Sequence, residues 1–135
     1  MIPPFDHRGY LPPGIHSATL DEIDARFGQE SELRRIEMES LRWLAALAGR
    51  AGVLRVVING SFVTDAYEPN DVDCVLLLAA DFPRDAAAEA ELVNGLPFLD
   101  ISLVHQEGWD EMVEKVFSMD RRRNVKGMIE VERWI

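Results

Sequence analysis

Asp71, Asp73 and Asp100 are the residues of this chain whose type and spacing could do chemistry. Asp71 and Asp73 alternate at the head of an apolar run that continues to Leu78 and reads as a strand. Residues two apart on a strand point to the same face, so the two carboxylates would project side by side. Asp100 lies inside a second apolar run, Leu96 to Val104, where an acid is costly unless it is paired or bound. Three carboxylates brought to one spot repel each other unless a cation sits between them. Hard divalent ions such as Mg²⁺, or Mn²⁺ in its place, take oxygen ligands of this kind. The chemistry indicated is metal-dependent phosphoryl or nucleotidyl transfer.

A second segment points the same way. Leu54 to Ile58 reads as a strand, and Asn59-Gly60-Ser61 follows it at once. Glycine lets a backbone approach a ligand closely. The Ser61 hydroxyl and the amides of the next turn would then hold a phosphate. Each piece alone has an ordinary explanation: Asn-Asp is common turn chemistry, Gly60 serves as a turn glycine and Ser61 as an N-cap. Their joint spacing carries the reading.

That spacing resembles the nucleotidyltransferase superfamily to which DNA polymerase β belongs. Its pattern is a hydrophobic strand, Gly-Gly or Gly-Ser, a gap of about ten residues, acid-x-acid, then a later single acid on a strand. The matching positions are Gly60-Ser61, Asp71-Val72-Asp73 and Asp100, over roughly the middle half of the chain. The likeness is greatest to the small stand-alone minimal members of bacteria and archaea. Phe5-Asp6, Leu11 to His16, Arg26-Phe27-Gly28 and Gly60-Ser61-Phe62-Val63-Thr64 are similar to an uncharacterised bacterial nucleotidyltransferase-like family. The resemblance implies Asp71, Asp73 and Asp100 as metal-binding and catalytic residues, Gly60 and Ser61 as nucleotide-binding residues, and transfer of a nucleoside monophosphate from an NTP to an acceptor hydroxyl on protein or RNA. It also admits a second reading. Many active members carry an arginine shortly after the Gly-Ser, whereas Phe62, Val63 and Thr64 stand here. The fold would then be a weak or inactive binding module, such as an antitoxin or regulatory partner of a toxin-like protein, and a homo-oligomer is compatible with either reading.

The elements that must position these residues alternate. Met1 to Ser17 is rich in proline and glycine and reads as an extended arm, set off as residues 1–18 from one domain spanning 19–135. Thr19 and Glu22 form a capping box for a short helix that stops at Gly28. Ser31 to about Ala48 is the best helix, with Leu33, Ile36, Leu41, Leu44 and Leu47 at helical spacing and Gly49 after it. Strands are expected at Val53 to Ile58, Asp71 to Leu78 and Phe98 to Val104, with a helical turn at Phe62 to Ala66. Helices are expected at Pro83 to Leu92 and Trp109 to Met119, then a polar turn at Asp120 to Asn124. Gly127 to Ile135 alternates as a last strand, placed at a sheet edge. The fold class is α/β (α+β): a small mixed sheet with helices packed mainly on one face.

Composition narrows the classes. The chain has 135 residues, 47% of them apolar, which is enough for one domain with a real core. A net charge of −10 argues against broad binding to nucleic acid, though an RNA acceptor stays compatible with a metal-carried nucleotide. The single cysteine, Cys74, excludes an internal disulfide framework, and alternation turns it away from Asp73 into the core. No apolar stretch spans a membrane and no secretion signal is visible, so a cytoplasmic protein is expected. His7, His16 and His105 lack metal-ligand spacing, and Trp43, Trp109 and Trp134 are read as packing residues. Arg121-Arg122-Arg123, with Lys126, is the one basic cluster: it could grip a substrate phosphate, an RNA partner or a cognate toxin, and a solvated turn balancing nearby acids is slightly favoured.

Overall fold

A computed structural model describes residues 1–113, 126–132 and 134. Among them, five strands form one mixed sheet in the order β1-β5-β2-β3-β4. The strands are β1 Gly14–Thr19, β2 Val53–Asn59, β3 Val72–Leu78, β4 Leu99–Val104 and β5 Gly127–Glu132. The helices are α1 Leu20–Phe27, α2 Glu32–Ala51, α3 Ala86–Asn94 and α4 Gln106–Asp110. Both outer pairs, β1 with β5 and β3 with β4, are parallel; β5–β2 and β2–β3 are antiparallel.

The expected mixed sheet with helices mainly on one face is what forms. Ile23 and Phe27 of α1, Leu41, Leu44 and Ala48 of α2, and Ala88 and Leu92 of α3 pack on one face against Val56, Ile58, Cys74, Leu76 and Ile129. The other face carries a smaller cluster of Val57, Val75, Leu77, Val104 and Met128, covered by Trp109 and Val113. No helix among the described residues is long and apolar enough to cross a membrane.

Local chemistry sets the boundaries. The Thr19 side chain accepts from the Glu22 amide, and the Glu22 carboxylate accepts from the Thr19 amide at 3.0 Å, so the expected capping box forms. Ser31 caps α2 by accepting from the Arg34 amide. The expected stop at Gly49 does not hold. The helix runs on to Ala51 and ends at Gly52, whose φ of 96° is the left-handed conformation that glycine tolerates best. The burial of Ala48 and Ala51 against the sheet offsets the small helix cost of Gly49.

Two expectations at the ends of the chain are corrected. The arm does not reach residue 18, because Gly14–Thr19 is β1, paired parallel with β5 from Gly14↔Gly127 to Thr19↔Glu132. Leu11 before it is buried in the core. The last strand is not at an edge, for β5 lies between β1 and β2. Its Glu130 is matched across the sheet by Arg55, bound bidentately at 2.8 and 2.6 Å. That guanidinium also lies 5.0 Å from the Trp109 ring centroid. Trp109 is buried as expected, whereas Trp43 projects from α2 into solvent. The expected turn at Asp120 to Asn124, the Arg121–Arg123 cluster and the second half of the Trp109 helix lie outside the described residues.

Candidate functional site

β2 ends where β3, β4 and β5 begin, and the sequence-predicted residues gather at that end of the sheet. The register sets Asn59 opposite Asp73, and Asp73 opposite Asp100. Asp73 shares its face with Val75, and Asp71 precedes it by two residues. Carboxylate oxygens of Asp71, Asp73 and Asp100, one from each, all lie within 4.8 Å of one another. Asp71 and Asp100 are exposed, and Asp73 is half-buried between them. Such a set of hard oxygen donors fits a divalent cation.

The electrostatics follow from this crowding. Burial, followed by the charges of Asp71 and Asp100, pushes the Asp73 carboxyl from 3.8 up to about 6. The positive charge of Lys126 acts in the opposite direction. Cys74, one residue on, points into the opposite face, fully buried, and burial pushes its thiol up out of the reactive range.

Gly60 adjoins this centre. Its φ is 85°, and a Cβ built there would stand 2.5 Å from Asp73 Oδ2. Both the backbone conformation and the room left for the Asp73 carboxylate therefore demand glycine. Ser61 is exposed beside it and opens a single 3-10 turn, Ser61–Val63, shorter than the helical turn expected through Ala66. The Thr64 hydroxyl closes the turn by donating to the Ser61 carbonyl at 2.7 Å.

Two buried charged residues of α2 were not anticipated. Arg34 is buried, and its guanidinium donates to the carbonyls of Phe62 (2.8 Å), Thr64 (3.0 Å), Ala66 (3.1 Å) and Phe27 (3.1 Å). It fixes the segment after Gly60-Ser61 to the helix. Glu37, one turn on, is fully buried, and neither carboxylate oxygen has a hydrogen-bond partner among the described residues. Burial raises its carboxyl from 4.5 to about 7, Arg34 opposes the rise and Asp71 adds to it. Ile36, expected on the inner stripe, is 38% exposed. The signal was present: stepping back from Leu41 and Leu44 at helical spacing lands on Glu37 and Arg34.

The N-terminal segment braces the same turn from outside. Tyr10 bridges to Thr64, and the Asp65 amide donates to the Gly9 carbonyl at 3.0 Å. His105, by contrast, lies past the far end of β4 from Asp100 and has no part in the centre. No curated protein and no solved structure matches the chain. Residues 3–132 do match a family model, from the N-terminal brace through the acidic centre to the end of β5, and the chain accordingly belongs to a family of unknown function, DUF6932.

Proposed function

We propose that the protein is a divalent-metal-dependent nucleotidyltransferase that moves a nucleoside monophosphate from an NTP to an acceptor hydroxyl. The observation that carries this reading is the convergence of Asp71, Asp73 and Asp100 beside a glycine that no other residue can replace without displacing Asp73. Three like charges held this close raise the energy of the empty site, and a cation relieves it. Asp71, Asp73 and Asp100 would hold Mg²⁺ or Mn²⁺. When bound, the metal supplies Lewis-acid polarisation of the phosphate oxygens. Gly60 and Ser61 would seat the triphosphate against the carboxylates and so orient its α-phosphorus. The acceptor oxygen forms a bond to that phosphorus while the bond to the β-phosphate oxygen breaks and pyrophosphate leaves. Asp100, which is exposed, would take the acceptor proton and pass it to solvent.

The test is calorimetric titration of each NTP into the protein, with and without Mg²⁺, beside the Asp71→Asn/Asp73→Asn double variant. Metal-dependent binding that the folded variant loses is the expected result. Equal binding by the variant, or none by the wild type, would sink the assignment. The absence of a cation at Phe62, Val63 and Thr64 favours the second reading, a nucleotidyltransferase-fold partner protein. A stable co-purifying partner together with failure to bind NTP and Mg²⁺ is the outcome that selects it.

A further inference from the structure

We propose that Lys126 is the phosphate-binding cation of the acidic centre, contacting the non-bridging oxygens of a triphosphate seated against Asp71, Asp73 and Asp100. The inference rests on the nucleotide reading above and names the group that reading lacks. Three carboxylates and a triphosphate are all negative, and the residues after Ser61 bring no positive charge.

The sheet brings one from elsewhere in the chain. β5 runs antiparallel to β2, with Ile58 opposite Ile129 and Val57 opposite Glu130. β5 therefore begins at the end of the sheet where β2 leads into Gly60 and Ser61, and Lys126 stands immediately before β5. Strand alternation sets the face. Met128 belongs to the cluster of Val57, Val75 and Leu77, and Lys126 precedes it by two residues. Asp73 precedes Val75 by two residues and so shares that face. Lys126 thus lies at the right end of the sheet, on the right face, and is half-buried there. Its charge reaches Asp73.

Among the described residues, the two arginines that flank this end of the sheet, Arg55 and Arg34, are already committed. The Arg55 guanidinium is bound bidentately to Glu130. That of Arg34 is buried among backbone carbonyls. A lysine also suits the task, since its ammonium is a compact charge on a flexible stem that can follow a phosphate.

The experiment uses the full chain, Mn²⁺ and inorganic tripolyphosphate as probes, and the variants Lys126→Ala and Lys126→Arg. Lys126→Ala is expected to weaken Mn²⁺-dependent tripolyphosphate binding about tenfold or more. The same variant should bind Mn²⁺ alone as tightly as the wild type or slightly more tightly, because a repelling charge has gone. Lys126→Arg should restore most of the tripolyphosphate affinity. These opposite signs separate a phosphate contact from a structural role, which would weaken both. Unchanged tripolyphosphate binding in Lys126→Ala, or parallel loss of both affinities, overturns the proposal. Wild-type protein that takes Mn²⁺ but no tripolyphosphate overturns the role of Lys126 while leaving the metal centre standing. Failure to bind Mn²⁺ at all overturns the nucleotide reading and this inference with it.

Discussion

Half-buried beside two other acids, Asp73 holds a carboxyl raised from 3.8 to about 6. The folded state therefore binds this proton more tightly than the unfolded chain does. The stabilisation is fully present below pH 3.8 and is lost as the pH rises through about 6. At neutral pH the ionised Asp73 is a net load on the fold. Asp73→Asn should then raise stability at pH 7 by on the order of 1 kcal/mol and give no gain near pH 3.5, by urea unfolding at the two pH values. An equal gain at both would show that the load is not electrostatic. The acids and the Gly60-Ser61 turn were legible in the sequence because their spacing on strands fixes their direction. Lys126 was visible only as part of a basic run, because nothing local reveals that β5 lies beside β2.

At the scale of the element, α2 carries two buried charged groups where an apolar stripe was expected. Charged side chains near a helix start are ordinarily solvated, and the apolar spacing points to Leu33 and Ile36 as the inner face. The clamp on four carbonyls reverses this, since Arg34 can satisfy its donors only from inside. Glu37 has no hydrogen-bond partner among the described residues. Its carboxyl rises from 4.5 to about 7, so its stabilising proton is fully held below 4.5 and lost as the pH rises through 7. Glu37→Gln is expected to remove that loss. Between about pH 5 and pH 8 the wild type should fall relative to the variant by on the order of 2 kcal/mol, read from denaturant midpoints. Parallel pH profiles for the two proteins would contradict the assignment.

For the whole molecule, the central elements were legible and the sheet order was not. β2, β3, β4 and α2 announce themselves through local periodicity and caps. β1 does not, because its partner is a strand at the other end of the chain and its Pro-Gly-rich surroundings look like turns. This partner protects β5, whose apolar residues are buried on both faces. Removing residues 1–19 should leave β5 as an open edge. The truncated protein is expected to melt at lower temperature and to self-associate on size-exclusion chromatography. A monomer of unchanged stability would mean that β1 contributes little.

The same parallel pair has a mechanical consequence. A tension that has passed the contacts of Gly9 and Tyr10 reaches β1 at Gly14 and β5 at Glu132, diagonally opposite corners of two strands that run the same way. Their hydrogen bonds are then loaded in shear, so that the whole row resists together instead of parting one bond at a time. The acidic centre hangs from β2, β3 and β4, inside that outer seam. Force entering at the N-terminus meets the Gly9 and Tyr10 contacts with Asp65 and Thr64 first, so the turn beside the carboxylates feels the load before the seam does.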